Sequence, residues 1–349
     1  MTTFNAKSLI KPNRLKRGDR IAALSLSSGM AGDPDIRWRY EQGKQQLSGL
    51  GLEVVEMSLT LAGSSVVYHD PKGRAACLHE ALLDESIAGI IAVIGGDDSY
   101  RLFEFVDIDL IRNHPKVFIG YSDSTSIHQM FRMAGVVSFY GPCLLVDMAE
   151  NGGIFDFTKV VFEEMVMNSH ESYQFPWRKE WTSQFVSWNE DNKDVCRKLQ
   201  PDEGGIKLQG SGIVEGRLLG GCFEVFSMLR GTPLFPAKEV FEGALLLLET
   251  SETHPDPIQL EIDLRSLAVM GVLQELNGLL FGKPQDNLHF EAYQASIRKI
   301  LHEFQLETLP VLYNCNFGHT EPKWTIPLGV TAQLDVDKIS LTLLESGTR

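Results

Sequence analysis

Residues 117–128 read VFIGYSDSTSIH, an apolar run that passes directly into hydroxyl residues and the start of a helical pattern. A strand followed at once by a helix is one unit of a parallel α/β sheet. Gly120 provides the clearance that a sharp turn between the two elements needs. Ser122 is therefore expected at the carboxyl end of a strand, where open α/β sheets bind their ligands.

Similar strand-and-helix units precede this stretch, so the first part of the chain alternates between the two kinds of element. This alternation predicts a doubly wound parallel sheet with crossover helices. The predicted strands cover 21–25, 52–57, 88–94 and 116–121, and the predicted helices cover 37–50, 74–83, 99–105 and 124–133. Three of the strands end in small or hydroxyl residues that we expect to line one crevice: Ser27-Ser28, Gly95-Gly96-Asp97-Asp98 and Tyr121-Ser122-Asp123.

The pattern changes after an amphipathic helix predicted at 157–167. Residues 173–205 are polar, contain tryptophan and have weak periodicity, which is typical of a lid or a linker. Short strands are then predicted at 211–215, 244–249, 278–281, 311–314, 331–335 and 338–344, with helices at 222–229, 259–270 and 291–304. We therefore predict an N-terminal domain over 1–168, a lid segment over 169–205 and a smaller mixed α/β domain over 206–349.

Composition excludes several classes of protein. The 349 residues include 32 Lys and Arg against 46 Asp and Glu, a net charge of −14, which disfavours binding to a nucleic-acid polymer. Five scattered cysteines form no CxxC pair, and HExxH and EF-hand spacings are absent, so neither a disulfide framework nor a metal site is predicted. The first residues lack the apolar core of a signal peptide, and no apolar run approaches a membrane span. A soluble, cytoplasmic protein that does not bind membranes is expected.

Ser122 is the candidate nucleophile, because the strand-to-helix turn exposes its hydroxyl above the sheet, as in a nucleophile elbow. The helix N-terminus places free N–H groups and a positive dipole end beside it, which suits a developing oxyanion. Ser124 replaces the second glycine of the usual G-x-S-x-G pattern. The alternative interpretation is that Ser122, Asp123 and Ser124 only cap a helix.

A serine nucleophile needs a base and an acid that orients the base. Among nine histidines, His319 follows an apolar strand and stands beside the flexible Gly318, which suits a base. Glu249 ends the apolar run 244–248, and a carboxylate there is hard to bury without a partner such as an imidazolium. A strand that simply reaches solvent at Glu249 is the alternative.

The segment 95–98 follows a strand and precedes a helix, so it invites comparison with a phosphate-binding loop. It lacks both the GxxxxGK[ST] and the full GxGxxG spacing, and two aspartates would repel phosphate. An oxyanion donor at the N–H of Gly96 is the more attractive interpretation.

Taken in order, six segments resemble the LD-carboxypeptidase family of serine peptidases, and more closely its microcin C immunity branch. Each single motif is weak, whereas six in the same order along most of the chain are specific. The segments are Leu15-Lys16-Arg17-Gly18-Asp19-Arg20-Ile21-Ala22, Gly95-Gly96-Asp97-Asp98-Ser99, Gly120-Tyr121-Ser122-Asp123, Gly216-Arg217-Leu218-Leu219-Gly220-Gly221, Leu248-Glu249-Thr250-Ser251 and Asn316-Phe317-Gly318-His319.

This resemblance implies a catalytic triad of Ser122, His319 and Glu249 acting on an amide. It implies an oxyanion hole formed by the N–H groups of Gly96 and Asp123. The implied fold is a Rossmann-like N-terminal domain with a smaller C-terminal domain, in a cytoplasmic homodimer that uses no metal or organic cofactor.

The branches of the family differ in substrate. One removes the terminal D-alanine of murein tetrapeptides, and the other cleaves an amide between an aspartyl residue and a modified nucleotide. The segments around Asp97 and Glu252 look more like the second branch, so both residues are candidate substrate contacts. Trp181 and Trp188 are candidates for stacking on the base, although tryptophans here, Trp177 included, could instead pack the lid. A small-molecule binding protein without enzymatic activity is the further alternative.

Overall fold

The computed structural model describes residues 9–349. Residues 1–8, which carry most of the segment predicted to lack a signal-peptide core, lie outside the described residues. In the range 9–349, no helix is both long enough and apolar enough to cross a membrane.

Strands and helices alternate through the first 140 residues and again from about residue 213. The strands are β1 (Arg20–Leu24), β2 (Glu53–Glu56), β3 (Ile87–Ala92), β4 (Val117–Gly120), β5 (Ser138–Tyr140), β6 (Tyr173–Gln174), β7 (Glu180–Trp181), β8 (Gln200–Pro201), β9 (Ile206–Gln209), β10 (Ile213–Cys222), β11 (Leu245–Glu249), β12 (Gly278–Gly282), β13 (Val311–Cys315), β14 (Ile326–Leu328), β15 (Thr331–Asp335) and β16 (Ser340–Leu343). The α-helices are α1 (Arg37–Gly49), α2 (Ser64–His69), α3 (Pro71–Leu83), α4 (Ile108–Asn113), α5 (Thr125–Ala134), α6 (Asp156–Val166), α7 (Phe223–Met228), α8 (Pro257–Val269), α9 (Val272–Glu275) and α10 (Phe290–Glu303).

The first sheet has the strand order β14-β5-β4-β3-β1-β2. Strands β1 to β5 are parallel, and β14 pairs antiparallel with β5. Along β1, Ile21 and Ala23 face one hydrophobic core while Ala22 and Leu24 face another. Both faces of the sheet are therefore covered, as expected for parallel strands joined by helices.

The second sheet is mixed and has the order β6-β16-β15-β10-β11-β12-β13-β9. Its central strands β10 to β13 are parallel, so their carboxyl ends lie along one edge. Leu245 and Leu247 of β11 pack into the core that the first sheet also uses, whereas Leu246 and Leu248 face a separate core. The shared core brings the ends of β4, β11 and β13 toward one cleft.

The predicted fold class, a doubly wound parallel sheet with a second mixed α/β unit, is confirmed. The prediction of a short strand at 211–215 was wrong in extent, because β10 continues to Cys222. A Cβ at Gly216 or Gly220 would collide with the neighbouring backbone at Gly243 or Leu247, so glycine lets β10 and β11 approach closely. The sequence also gave no sign of β14, by which the last third of the chain joins the first sheet.

Candidate active site

Ser122 lies immediately after β4 and opens the turn that leads into α5. Its backbone is left-handed, with φ of 61°, which is a strained conformation for a residue with a side chain. A Cβ at Gly95 would lie 2.9 Å from Ser122 Cβ, so the absence of a side chain there lets the loop after β3 approach the hydroxyl. This is the geometry of a nucleophile elbow.

His319 and Glu249 meet Ser122 in a continuous chain of hydrogen bonds. His319 Nε2 lies 3.0 Å from Ser122 Oγ, and His319 Nδ1 lies 2.7 Å from Glu249 Oε2. Glu249 is the last residue of β11, and His319 follows β13 by four positions. A Cβ at Gly318 would lie 2.5 Å from Glu249 Oε2, so glycine is needed beside the carboxylate.

Tyr140 completes this arrangement, and the sequence analysis missed it. Its hydroxyl donates to Glu249 Oε1 at 2.5 Å and accepts from the Ser122 N–H at 3.1 Å. Tyr140 ends β5, the strand beside β4, so the parallel register brings its side chain next to Ser122. A tyrosine at the end of a neighbouring parallel strand was the available signal, but the three-residue strand is too short to recognise.

The charges of the buried pair Glu249 and His319 favour an ionised carboxylate and a basic imidazole. Burial raises the pKa of Glu249, but His319, the Tyr140 hydroxyl and Lys323 together outweigh this and hold that pKa below its usual value. Burial lowers the pKa of His319, yet the carboxylates of Glu249 and, to a smaller extent, Glu252 outweigh it, so the imidazole pKa stands above its ordinary value. Glu249 can therefore orient His319 through Nδ1–H and stabilise its protonated form.

Asp123 holds the loop after β3 against the nucleophile turn. Its Oδ2 accepts hydrogen bonds from Ser27 Oγ at 2.5 Å, from the Ser99 N–H at 2.8 Å and from the Asp98 N–H at 3.2 Å. The side chain is completely buried, and burial raises its pKa. Sequence analysis assigned Asp123 only a backbone role, whereas its carboxylate fixes the position of the loop.

Arg74 supports the same loop from the other side. Its guanidinium is buried and donates to Asp98 Oδ1 at 2.7 Å and to the carbonyl oxygens of Leu26 and Ser27. Gly96, in this loop, has φ of 154°, and a Cβ there would collide with Ser27. Its N–H has no hydrogen-bond acceptor among the described residues. The loop is thus a fixed donor platform beside Ser122.

A second buried layer lies behind His319. The ring of Tyr121 packs edge-on against the imidazole, with centroids 4.9 Å apart, and Lys323 Nζ lies 3.7 Å from the Tyr121 ring centroid. Lys323 binds Asp147 at 2.7 Å and Glu321 at 2.9 Å, all three being nearly inaccessible to solvent. This ion cluster ties the segment that carries His319 to the first domain.

Ser122 and His319 face a cavity of about 400 Å³. Gly96, Glu252 and Trp188 also line it. The Arg39 guanidinium covers one face of Trp188, at 4.4 Å from the ring centroid. Five of residues 183–188, here called the rim segment, also line the cavity, and Phe185 within it is 78% exposed.

Two other candidates lie outside the lining of this cavity. Trp181 is buried in β7, with Lys283 Nζ 4.9 Å from its ring centroid. Asp97 is exposed and lines an adjoining groove that shares Ser28 and Gly96 with the cavity. For metals, residues 9–349 bring together no group of three or more His, Cys, Asp or Glu side chains able to hold an ion.

Two family models match the chain on either side of residues 169–205. The model of the LD-carboxypeptidase N-terminal domain matches residues 21–141, and that of the LD-carboxypeptidase C-terminal domain matches residues 215–334. Together the two matched ranges span more than half of the chain.

Individual relatives agree with this match. The microcin C7 self-immunity protein MccF of Escherichia coli is 28% identical over 316 residues, 88% of each chain. The structure of an MccF-like protein from Streptococcus pneumoniae in complex with AMP is 30% identical, with a TM-score of 0.85, and the match covers 93% of this chain and 98% of that one.

A structure of microcin C7 self-immunity protein MccF with aspartyl sulfamoyl adenosine is 26% identical, with a TM-score of 0.86 over 97% of this chain and all of that one. Fold, matched domains and relatives agree on one assignment. The chain belongs to the LD-carboxypeptidase family, and it is a hydrolase of the serine carboxypeptidase type.

Proposed function

We propose that Ser122, His319 and Glu249 form the catalytic triad of this hydrolase. The observation that carries the proposal is the 3.0 Å contact between His319 Nε2 and Ser122 Oγ, with Glu249 hydrogen-bonded to the other imidazole nitrogen. Nucleophile, base and orienting acid have the mutual geometry that acyl transfer needs. The strained backbone of Ser122 further supports this role, because such strain is commonly stored at functional sites.

The reaction proceeds in two acyl transfers. Ser122 Oγ attacks the carbonyl carbon while its proton passes to His319 Nε2, and the amide bond then breaks as the imidazolium protonates the leaving nitrogen. A water molecule next gives a proton to His319 and attacks the acyl-enzyme, and the returning proton restores the Ser122 hydroxyl. Glu249 stabilises the imidazolium throughout and remains ionised.

The N–H groups of Gly96 and Asp123 are proposed to hold the oxyanion. The unsatisfied N–H of Gly96 and the bonds that fix its loop through Asp123 and Arg74 support this assignment. Donors that are fixed before the reaction need no reorganisation when charge develops, which is the main source of their catalytic effect.

For the substrate, we propose an amide between an amino acid or peptide and a nucleotide, as in microcin C immunity. Trp188 supports this choice, because one face of its ring is backed by Arg39 inside the cavity. Stacking of a base on an aromatic ring contributes about 1–3 kcal/mol. The relatives bound to AMP and to aspartyl sulfamoyl adenosine point to the same class.

A murein tetrapeptide is the second candidate substrate, because a relative from Bacillus subtilis, 25% identical over 97% of this chain, is named a probable murein peptide carboxypeptidase. Hydrolysis of a murein tetrapeptide and of aspartyl sulfamoyl adenosine, measured side by side, separates the two. We expect a higher kcat/KM for the nucleotide, and the reverse preference would overturn the choice.

The triad is tested by Ser122→Ala, with Ser124→Ala as a matched control in the same turn. We expect Ser122→Ala to keep its unfolding temperature while kcat falls by about 10³-fold or more. The control should remain within about threefold of the wild type, since no step uses its hydroxyl. Retained turnover by Ser122→Ala would refute the mechanism, because another group would then have to serve as the nucleophile.

A further inference from the structure

Glu252 is a carboxylate beside the reacting atoms that the triad mechanism does not use. Its Oε2 lies 3.3 Å from His319 Nε2, the same nitrogen that faces Ser122 Oγ. The side chain is 65% exposed and lines the cavity. It therefore reaches the place where the acyl part of a substrate must lie.

The other charged side chains of the cavity have partners within the protein. Arg197 binds the Glu150 carboxylate through two nitrogens. Arg39 donates to the Leu145 carbonyl and to the side chain of Asn151, and it stacks on Trp188. For Glu252, the only ionic contact among the described residues is with His319.

That contact does not satisfy Glu252 in the reactive state of the enzyme. When His319 is neutral and its Nδ1–H donates to Glu249, Nε2 carries a lone pair that accepts from Ser122. Two acceptors then face each other at 3.3 Å, which is unfavourable. A cation that binds Glu252 and draws it away from Nε2 would relieve this conflict.

A substrate can supply such a cation at this place. Ser122 must attack the carbonyl carbon, so the nitrogen on the neighbouring α-carbon lies close to both Ser122 Oγ and His319 Nε2. In an aminoacyl compound this nitrogen is a free ammonium group, whereas in a longer peptide it is an uncharged amide. We propose that Glu252 binds the free α-ammonium group of the substrate and so selects aminoacyl compounds over N-acylated ones.

This inference rests on the proposed function, because it places the scissile carbonyl at Ser122. The test compares aspartyl sulfamoyl adenosine with its N-acetyl derivative, which has lost the charge of the amine and gained an acetyl group. We expect the wild type to favour the free amine by about tenfold to a hundredfold in kcat/KM, the range expected for a hydrogen bond between charged groups.

Glu252→Gln should abolish that preference by lowering kcat/KM for the free amine alone, and Glu252→Asp should restore part of it. Glu239→Gln, which removes an exposed carboxylate outside the cavity, is the matched control and should keep the wild-type preference. An unchanged preference in Glu252→Gln would overturn the inference. An equal loss on both compounds would also overturn it, since the carboxylate would then act through the imidazole.

Binding measurements separate this inference from the proposed function. If the wild type hydrolyses neither compound, the proposed substrate is wrong. Calorimetry then tests the contact with Glu252 separately, by measuring the binding of both compounds to Ser122→Ala and to the Ser122→Ala, Glu252→Gln double variant. A preference for the free amine that disappears with Glu252 would support the contact. Equal affinities, or no measurable binding of either compound, would overturn it.

Discussion

The two walls of the cavity are built in opposite ways. On the wall that carries Ser122, the polar side chains Glu249, Asp123 and Arg74 are all buried and each makes at least two hydrogen bonds. The rim segment forms another wall, in which Gln184, Phe185 and Ser187 are exposed, Phe185 by 78%. The first wall is fixed by buried hydrogen bonds before any ligand arrives, whereas the rim segment presents exposed side chains to solvent.

We therefore expect the wall that carries Ser122 to perform the chemistry and the rim segment to recognise the substrate. A triad and an oxyanion hole are effective when their dipoles are already oriented, and burial in a hydrogen-bonded network provides this. A recognition surface gains from being exposed and variable, as loops on a rigid scaffold are. We therefore expect substitutions in the first wall to lower kcat, and substitutions in the rim segment to change KM and substrate choice.

Glu249→Gln should have the largest effect of the substitutions that sharpen this comparison. Loss of the carboxylate removes the charge that stabilises the His319 imidazolium, and removal of the equivalent acid in another triad costs about 10⁴-fold in kcat. The measurement is steady-state kinetics on aspartyl sulfamoyl adenosine, with KM expected to change little. A kcat within tenfold of the wild type would contradict the assigned role of Glu249.

The dependence of kcat/KM on pH gives a second readout of the pair Glu249 and His319. His319 must be neutral to act as a base, so kcat/KM falls as the pH drops through the imidazole pKa, which Glu249 holds above its ordinary value. In Glu249→Gln that support is lost, so the acidic limb of the kcat/KM profile should move to lower pH. If the acidic limb stays in place in Glu249→Gln, a group other than His319 controls it.

Asp123→Ala should have the next largest effect, with Asp123→Asn as the matched variant. The alanine leaves the N–H groups of Asp98 and Ser99 and the hydroxyl of Ser27 without their acceptor, so the donor loop loses its position. We expect kcat to fall about 10²- to 10³-fold and the unfolding temperature to drop.

Asparagine keeps one acceptor oxygen for the two N–H groups, so Asp123→Asn should lose only about tenfold in kcat. Equal activity of Asp123→Ala and the wild type would show that the loop needs no such anchor. It would also remove the contrast between the two walls.

Trp188→Ala should have the smallest effect and should act on binding. Loss of stacking on the base, about 1–3 kcal/mol, raises KM for aspartyl sulfamoyl adenosine by roughly five- to a hundredfold, with kcat nearly unchanged. A murein tetrapeptide has no base, so its kinetics should not respond. Trp181→Phe, on a ring outside the cavity lining, is the control, and a larger KM change there would place the stacking residue elsewhere.

Local pattern was enough to predict the elements that carry the site. The apolar run before Ser122 and the hydroxyl residues after it predicted a strand-to-helix turn, and the structure has β4 and α5 there. Tyr140 and Arg74 were missed because local pattern carries no information about their roles. Their roles depend on which strand or helix lies beside them, and nothing in their own neighbourhood encodes that.

The lid segment illustrates the same limit. Trp181 and Trp188 stand in similar polar surroundings in the sequence, yet one is buried in β7 and the other lines the cavity beside Arg39. Strand β14 is another case, because its three residues pair with β5 residues that lie 186 to 190 positions away. Periodicity cannot identify such pairings, because a strand of three residues completes barely one alternation.

The sequence by itself determined the fold class, the order of the six motifs and the position of Ser122 at a strand end, since these depend on residue type and spacing along the chain. Only the tertiary structure decided that His319 reaches Ser122 across 197 positions, that Asp123 anchors the donor loop and that Glu252 faces the same imidazole. Contacts between distant segments form where burial of the shared core brings strand ends together. The free energy of that burial depends on residues from the whole chain, so no single segment of the sequence encodes it.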